Sequence, residues 1–272
     1  MKFIKYALFG ALCAIIAAVY LTQNLPDGKL HIYFLDIGQG DSIFIQTPNK
    51  KYILMDGGPS PKATKLIGGI MGNLNRRIDL IILSHPHADH YSGLIDVIEK
   101  YEVGTIILPN TPSSEPLYNS FLNEIFKRKI KTIFMPENMD INFGGGVYID
   151  NIFSPKTISK NTNESSSIIR ILYGKFSLIL TGDAPIEEEY EVLKTNADLR
   201  ADVLKVGHHG SKTSTSEEFL NEIAPSIAVI QSGVKNKFGH PHKETLDRLT
   251  KRKIQIFRND MLGTISFISD GR

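Results

Sequence analysis

Leu80-Ile81-Ile82-Leu83-Ser84-His85-Pro86-His87-Ala88-Asp89-His90 is the stretch whose reading decides the fold. An apolar run too short for a helix ends directly in three histidines and an aspartate, so it reads as a buried strand delivering a ligand-rich loop. Neutral imidazole nitrogen together with carboxylate oxygen suits a borderline divalent ion such as zinc, manganese or iron. In an extended loop His85 and His87 project to the same side and can share one ion. Asp89 and His90 lie beyond the turn and can reach a second. Three of the eight histidines fall in six positions, which makes a chance cluster on a solvated loop the poorer reading.

Other segments share this context. Asp56 follows Ile53-Leu54-Met55, Asp183 follows Leu178-Ile179-Leu180, and His208-His209 follow Val203-Leu204-Lys205-Val206. In open α/β sheets, sites gather outside the carboxyl ends of strands. Four strand ends bearing ligands are therefore expected to converge on one cleft. Between them the pattern alternates strand and helix twice, each time after a strand-rich stretch, and no low-complexity linker follows Pro26. Two similar halves packed as one domain over 29–272 are expected. The reading places helices at Lys62–Leu74, Ser92–Tyr101, Pro116–Lys129, Ile186–Lys194, Ser216–Ile223 and Lys243–Lys251.

The ordered set Asp-Gly-Gly (56–58), His-x-His-x-Asp-His (85–90), Gly-Asp (182–183) and Gly-His (207–208) resembles the metallo-β-lactamase superfamily. The phrases Leu35-Asp36-Ile37-Gly38-Gln39-Gly40-Asp41, Leu204-Lys205-Val206-Gly207-His208-His209-Gly210-Ser211 and Asn236-Lys237-Phe238-Gly239-His240-Pro241 are similar to the hydrolase domain of ComEC-type competence proteins and their free-standing relatives. The resemblance covers about Leu30 to Gly271. It implies an α/β fold, a four-layer αββα sandwich, and a divalent cofactor of one or two ions, zinc or manganese.

By the same resemblance His85 and His87 bind the first ion, Asp89, His90 and His208 the second, and Asp183 bridges them. Neighbouring side chains usually point apart, so one of His208 and His209 should face the metal; His208 is taken as the ligand. Candidate catalytic groups are Asp89, His209 and His240. Asp89 orients or deprotonates a water, and His240 contacts substrate or protonates a leaving group, unless it is simply a hydrogen-bonded loop histidine. Asp56 is expected to orient a ligand. Asp36 and Asp41 read as turn formers, Ser211 and Ser214 as helix caps or phosphate contacts, and Lys251-Arg252-Lys253 as a solvated helix end. Most superfamily members have a further histidine between His90 and His208. Here that interval offers Asn163, Ser165, Ser166 and Ser167, which leaves the His85/His87 site weak, vacant, or completed by waters around manganese.

The resemblance implies a metal-dependent hydrolase, with a phosphodiester polymer or a small ester as substrate: extracellular nucleic acid or a surface polymer first, a lactam, lactone or thioester second. A non-catalytic surface module that keeps the fold is the alternative class. The formal charge is +2, and without Lys2 and Lys5 the basic and acidic side chains balance at 29 each, so net charge gives nucleic acid no support. Lys2 and Lys5 precede an apolar run over residues 6–21, read within 1–25 as a signal peptide or membrane anchor with an exported remainder. This one apolar segment cannot form a DNA-import pore. The single cysteine, Cys13, lies inside it, which leaves the remainder without disulfides or thiolate ligands.

Overall fold

The computed structural model describes residues 2–72, 75–136, 140–155, 166–195 and 197–272, with the side chains of 2 and 16–24 excepted. Helix α1 (Lys2–Asn24) carries the apolar run; Phe3, Tyr6, Leu8, Phe9 and Ile15 on it are exposed. Part of the expected 6–21 segment thus falls outside the described side chains. Among the described residues no helix is long and apolar enough to cross a membrane.

The first half opens with an antiparallel meander of β1 (Leu30–Phe34), β2 (Ile43–Gln46) and β3 (Tyr52–Met55). Strands β4 (Arg77–Ile82), β5 (Glu102–Leu108) and β6 (Lys131–Phe134) join in parallel. Their crossovers carry α2 (Lys62–Met71), α3 (Ala88–Lys100) and α4 (Pro116–Lys127). The second half repeats the plan. Strands β7 (Asp140–Gly144), β8 (Val147–Phe153), β9 (Ile168–Tyr173) and β10 (Phe176–Leu180) are antiparallel, and β11 (Val203–Lys205), β12 (Ile227–Ile230) and β13 (Gln255–Arg258) follow in parallel. Here the crossover helices are α5 (Ile186–Leu193), α6 (Glu217–Ile223) and α7 (Lys243–Lys251). After a short α8 (Asn259–Leu262), β14 (Ile265–Ser269) returns to the first sheet beside β1.

The central strands are apolar on both faces because both faces are covered. Ile53, Met55, Leu80, Ile82 and Ile107 point into the space between the sheets, against Leu178, Leu180, Val203 and Val229. Leu54, Ile81 and Ile106 alternate with them and face α2, α3 and α4, contributed by Ile67, Leu94, Val97 and Phe121. On the far side Ile179, Leu204 and Ala228 meet Val192, Leu220 and Leu249 of α5, α6 and α7. The result is the four-layer αββα sandwich. Each such aliphatic side chain taken from water stabilises the fold by roughly 1.5–3 kcal/mol.

One boundary differs from expectation in a way that shapes the site. Helix α3 starts at Ala88, not Ser92, so Asp89 and His90 occupy its first turn. The Tyr91 amide bonds the His87 carbonyl at 3.1 Å, and a carboxylate in the first turn is favoured by the helix dipole. Glycine brings this helix close to the sheet. A Cβ on Gly93 would lie 2.0 Å from the Gly57 carbonyl oxygen, and one on Gly40 would lie 2.3 Å from that of Asp89.

Candidate metal centre

Strand ends of both sheets meet at one point. Asp56 leaves β3, the histidine loop leaves β4, Asp183 follows β10 and His208-His209 follow β11. Asp183, nearly inaccessible, is the hub. Its Oδ1 lies 3.5 Å from His90 Nε2, and its Oδ2 lies 3.4 Å from His209 Nε2 and 3.9 Å from His85 Nε2. Asp89 Oδ2 is 3.3 Å from His209 Nε2. Two ligand groups thus share Asp183: Asp89, His90 and His209 on one side, His85 and His87 on the other, with ligand atoms inside each group within 4.8 Å of one another.

The imidazoles are aimed by their other nitrogens. His90 Nδ1 donates to Asp56 Oδ2 at 2.8 Å. Asp56 also accepts from the Ser84 amide and hydroxyl at 2.8 and 2.7 Å. Because the Ser84 hydroxyl donates to Asp56, its oxygen can accept from His85 Nδ1 at 3.0 Å. His209 Nδ1 donates to the Gln231 carbonyl at 3.0 Å. All three rings therefore aim Nε2 inward, where a metal would take the place of any proton held there. Among the described residues, His85 Nε2, His90 Nε2, His209 Nε2 and Asp183 Oδ1 are buried without a hydrogen-bond partner. Leaving one such group unsatisfied costs about 1–3 kcal/mol. Nitrogen and carboxylate donors converging with no partner of their own fit a divalent cation.

The electrostatics agree. Burial alone would discharge His90, but the Asp183 and Asp56 carboxylates hold its pKa well above the ordinary value. His209 is held up in the same way, against its burial, by Asp183 and Asp41. Burial opposes the charge on Asp183, yet His209 and His90 keep it well below the usual carboxylate range. His85 is driven far down by burial and by His90. A site that binds protons this tightly on His90 and His209 offers a cation the same negative field.

Beneath the cluster lies a group that the sequence reading missed. Asp41 is no turn former: it is buried in an ion pair with the Lys205 ammonium, and its Oδ1 lies 3.3 Å from His209 Nδ1. Lys205, wholly inaccessible, also donates to the Gly182 carbonyl at 3.1 Å, next to Asp183. Its signal was a lysine inside an apolar strand, since an unpaired ammonium would not be tolerated there.

The other expected residues fall as follows. His208 lies at the edge of the cluster, partly exposed, 3.7 Å from Asp183 Oδ2, while His209 occupies the interior. His240 stands at the mouth, its ring 5.5 Å from that of His208 and 6.2 Å from that of His209. Burial and the neighbouring His209, His208 and His242 lower its pKa to about 4. The Ser211 and Ser214 side chains cap no helix among the described residues. Ser214 donates to the Gly207 carbonyl at 2.9 Å, and Ser216 caps α6 by accepting from the Phe219 amide. Asp36 is half-buried and pairs with Lys62 at 3.1 Å. Of the Lys251-Arg252-Lys253 run, Lys251 and Lys253 are exposed, whereas Arg252 is half-buried and pairs with Glu217 at 2.8 Å. Asn163 and Ser165 lie outside the described residues; the Ser166 hydroxyl accepts from the Asp183 amide at 3.0 Å.

An αββα sandwich with a His/Asp cluster where the strand ends of its two sheets meet defines a class of metal-binding proteins. This chain belongs to the metallo-beta-lactamase superfamily, whose family model matches residues 35–234. It is 30% identical to ComE operon protein 3 of Bacillus subtilis over 280 residues, 95% of this chain and 35% of that protein. It is 29% identical to competence protein ComA of Neisseria gonorrhoeae over 253 residues, 91% of this chain and 33% of that protein. The chain thus spans about a third of the length of these relatives. The metallo-beta-lactamase fold protein YhfI from Bacillus subtilis shares the fold with a TM-score of 0.60 and 15% identity, covering 89% of this chain and 99% of that one.

Proposed function

We propose that this chain is a phosphodiesterase that cleaves nucleic acid outside the cell, held at the membrane by the apolar part of α1. The observation that carries the chemistry is Asp183 standing between two ligand groups. His85, His87 and Asp183 would hold one divalent ion, and Asp89, His90, His209 and Asp183 the other. A pair of such ions supplies an activated water and neutralises charge on both the attacking and the leaving oxygens of a phosphoryl displacement.

The chain's own groups do the rest. Asp89 stays ionised: burial opposes its charge, but the neighbouring His209 and His90 imidazoles outweigh it and hold its pKa well below the usual carboxylate range. It can accept a proton from a water in the cleft. His240, uncharged at neutral pH, donates a hydrogen bond to a phosphoryl oxygen better than it delivers a proton. Asp56, Ser84 and Gln231 keep the imidazoles from turning. The similarity to a competence protein supports nucleic acid as the diester. Lys2 and Lys5 ahead of the apolar run support export with the amino terminus inside.

The test presents the zinc- or manganese-loaded chain with a nitrophenyl phosphodiester, a nitrophenyl phosphomonoester and a chromogenic lactam. Turnover of the diester well above the other two is the expected result. Turnover confined to the lactam would replace this reading with the amide-hydrolase one.

A further inference from the structure

The loop from Ser232 to Pro241 lies at the mouth of the cluster and, besides His240, carries residues the catalytic chemistry does not use. It carries Lys235, Lys237 and Phe238, all exposed, and no acidic residue. Phe238 is 51% exposed, so a large apolar ring stands in solvent where burial would be favoured. The ring is stacked on His240, with centroids 5.6 Å apart and planes 21° apart.

The loop is held firmly in this shape. The Asn236 side-chain amide donates to the Gly233 and His240 carbonyls at 2.9 and 2.6 Å. Its oxygen accepts from the amides of Phe238 and His240 at 3.1 and 3.0 Å. Gln39 ties the loop to the first half by accepting from the Gly233 amide at 3.1 Å. An exposed aromatic ring fixed in this way loses little freedom when it is covered, which favours binding. The Lys237 ammonium lies 5.0 Å from the ring and, on an exposed side chain, can move to a phosphate.

We propose that Phe238 is a stacking platform for one base of a single-stranded nucleic acid, with Lys235 and Lys237 on the flanking phosphates. The His240 ring connects the platform to the cluster, so a strand seated on Phe238 runs its backbone past His208 and His209. The assignment rests on the phosphodiesterase reading for the direction of the strand and narrows its substrate. A base-free polyanion would use the lysines and leave the ring without a purpose. Single-stranded sites combine an aromatic face with nearby cations.

The test measures binding of the full zinc-loaded chain to two fluorescent dodecamers joined by phosphorothioates that resist hydrolysis, one of deoxythymidine and one wholly abasic. The chain is expected to bind the thymidine strand about tenfold or more tightly than the abasic one. Phe238→Ala should reduce that preference to less than about threefold, and Phe238→Trp should keep it. Lys235→Ala and Lys237→Ala should weaken both strands alike and each lower the salt slope by about one. Equal binding of the two strands by the unmodified chain, or a preference that survives Phe238→Ala, would overturn the platform. A chain that hydrolyses the nitrophenyl diester without preferring bases refutes only the platform. A chain that prefers bases but hydrolyses no diester refutes only the phosphodiesterase reading.

Discussion

The Lys205 ammonium and the Asp41 carboxylate, distant in sequence, form a wholly buried ion pair directly beneath His209. The pair joins the two halves of the fold at the cluster, because Asp41 follows the first strand of one sheet and Lys205 ends a central strand of the other. Lys205 extends the link to Gly182 and so to Asp183.

Removing one partner strands the other's charge in a dry interior. Lys205→Met or Asp41→Asn should destabilise the chain by about 3–5 kcal/mol, and the double change to Met and Leu should recover much of that loss. Chemical denaturation measures it. The double variant separates stability from ligand placement: it should still bind zinc more weakly, because no carboxylate remains beside His209 Nδ1.

Asp56 aims His90 and sits at φ +58, a backbone geometry that asparagine also tolerates. Asp56→Asn should therefore fold normally while zinc affinity falls by about 10- to 100-fold. Competition with a chromophoric chelator reads the affinity, and circular dichroism checks the fold.

His209 and His208 should separate cleanly. His209→Ala removes a buried nitrogen from the group with Asp89 and His90, and should lower zinc affinity by about 100-fold or more, against about tenfold or less for His208→Ala. The same competition assay decides it. Equal losses would return His208 to the ligand role read from sequence.

The pH dependence has a definite sign. Burial works against their charge, but Asp183 and the other carboxylate partners prevail, so in the metal-free chain His90 and His209 hold their protons to higher pH than free imidazoles do. A cation must displace both, so zinc affinity should rise with pH through neutrality, by up to about 100-fold per unit, and fall as pH drops. In the metal-free chain the sign reverses: folding stability from these two groups is complete below the ordinary imidazole pKa and is lost as pH rises through the raised values. Calorimetry in buffers of different ionisation enthalpy counts the released protons.

Much of this architecture was legible in the sequence. The strand at Leu80–Leu83, the loop it delivers, and the repetition of strand and helix after Asp56 and Asp183 follow from periodicity and from where carboxylates and histidines interrupt it. Two features were not. His208 and His209 lie in a tight turn where both residues have positive φ, 48° and 54°. Strand alternation no longer tells which ring points inward there; His209 takes the interior position, and His208 stands at the edge, 3.7 Å from Asp183 Oδ2. Asp41 looked like a turn residue among glycines because its partner, Lys205, becomes adjacent only when the two sheets pack. The start of α3 at Ala88 was obscured by Pro86 and by the density of ligands, which reads as a loop.

The most direct measurement compares the chain with its Asp183→Asn variant, each stripped of metal and titrated with zinc and with manganese while nitrophenyl phosphodiester hydrolysis is followed. Hydrolysis should appear only with added metal, vanish on chelation, and drop by about 1,000-fold or more in the variant, since Asp183 holds both ligand groups together. Hydrolysis that persists under chelation, or that Asp183→Asn leaves intact, would contradict the account.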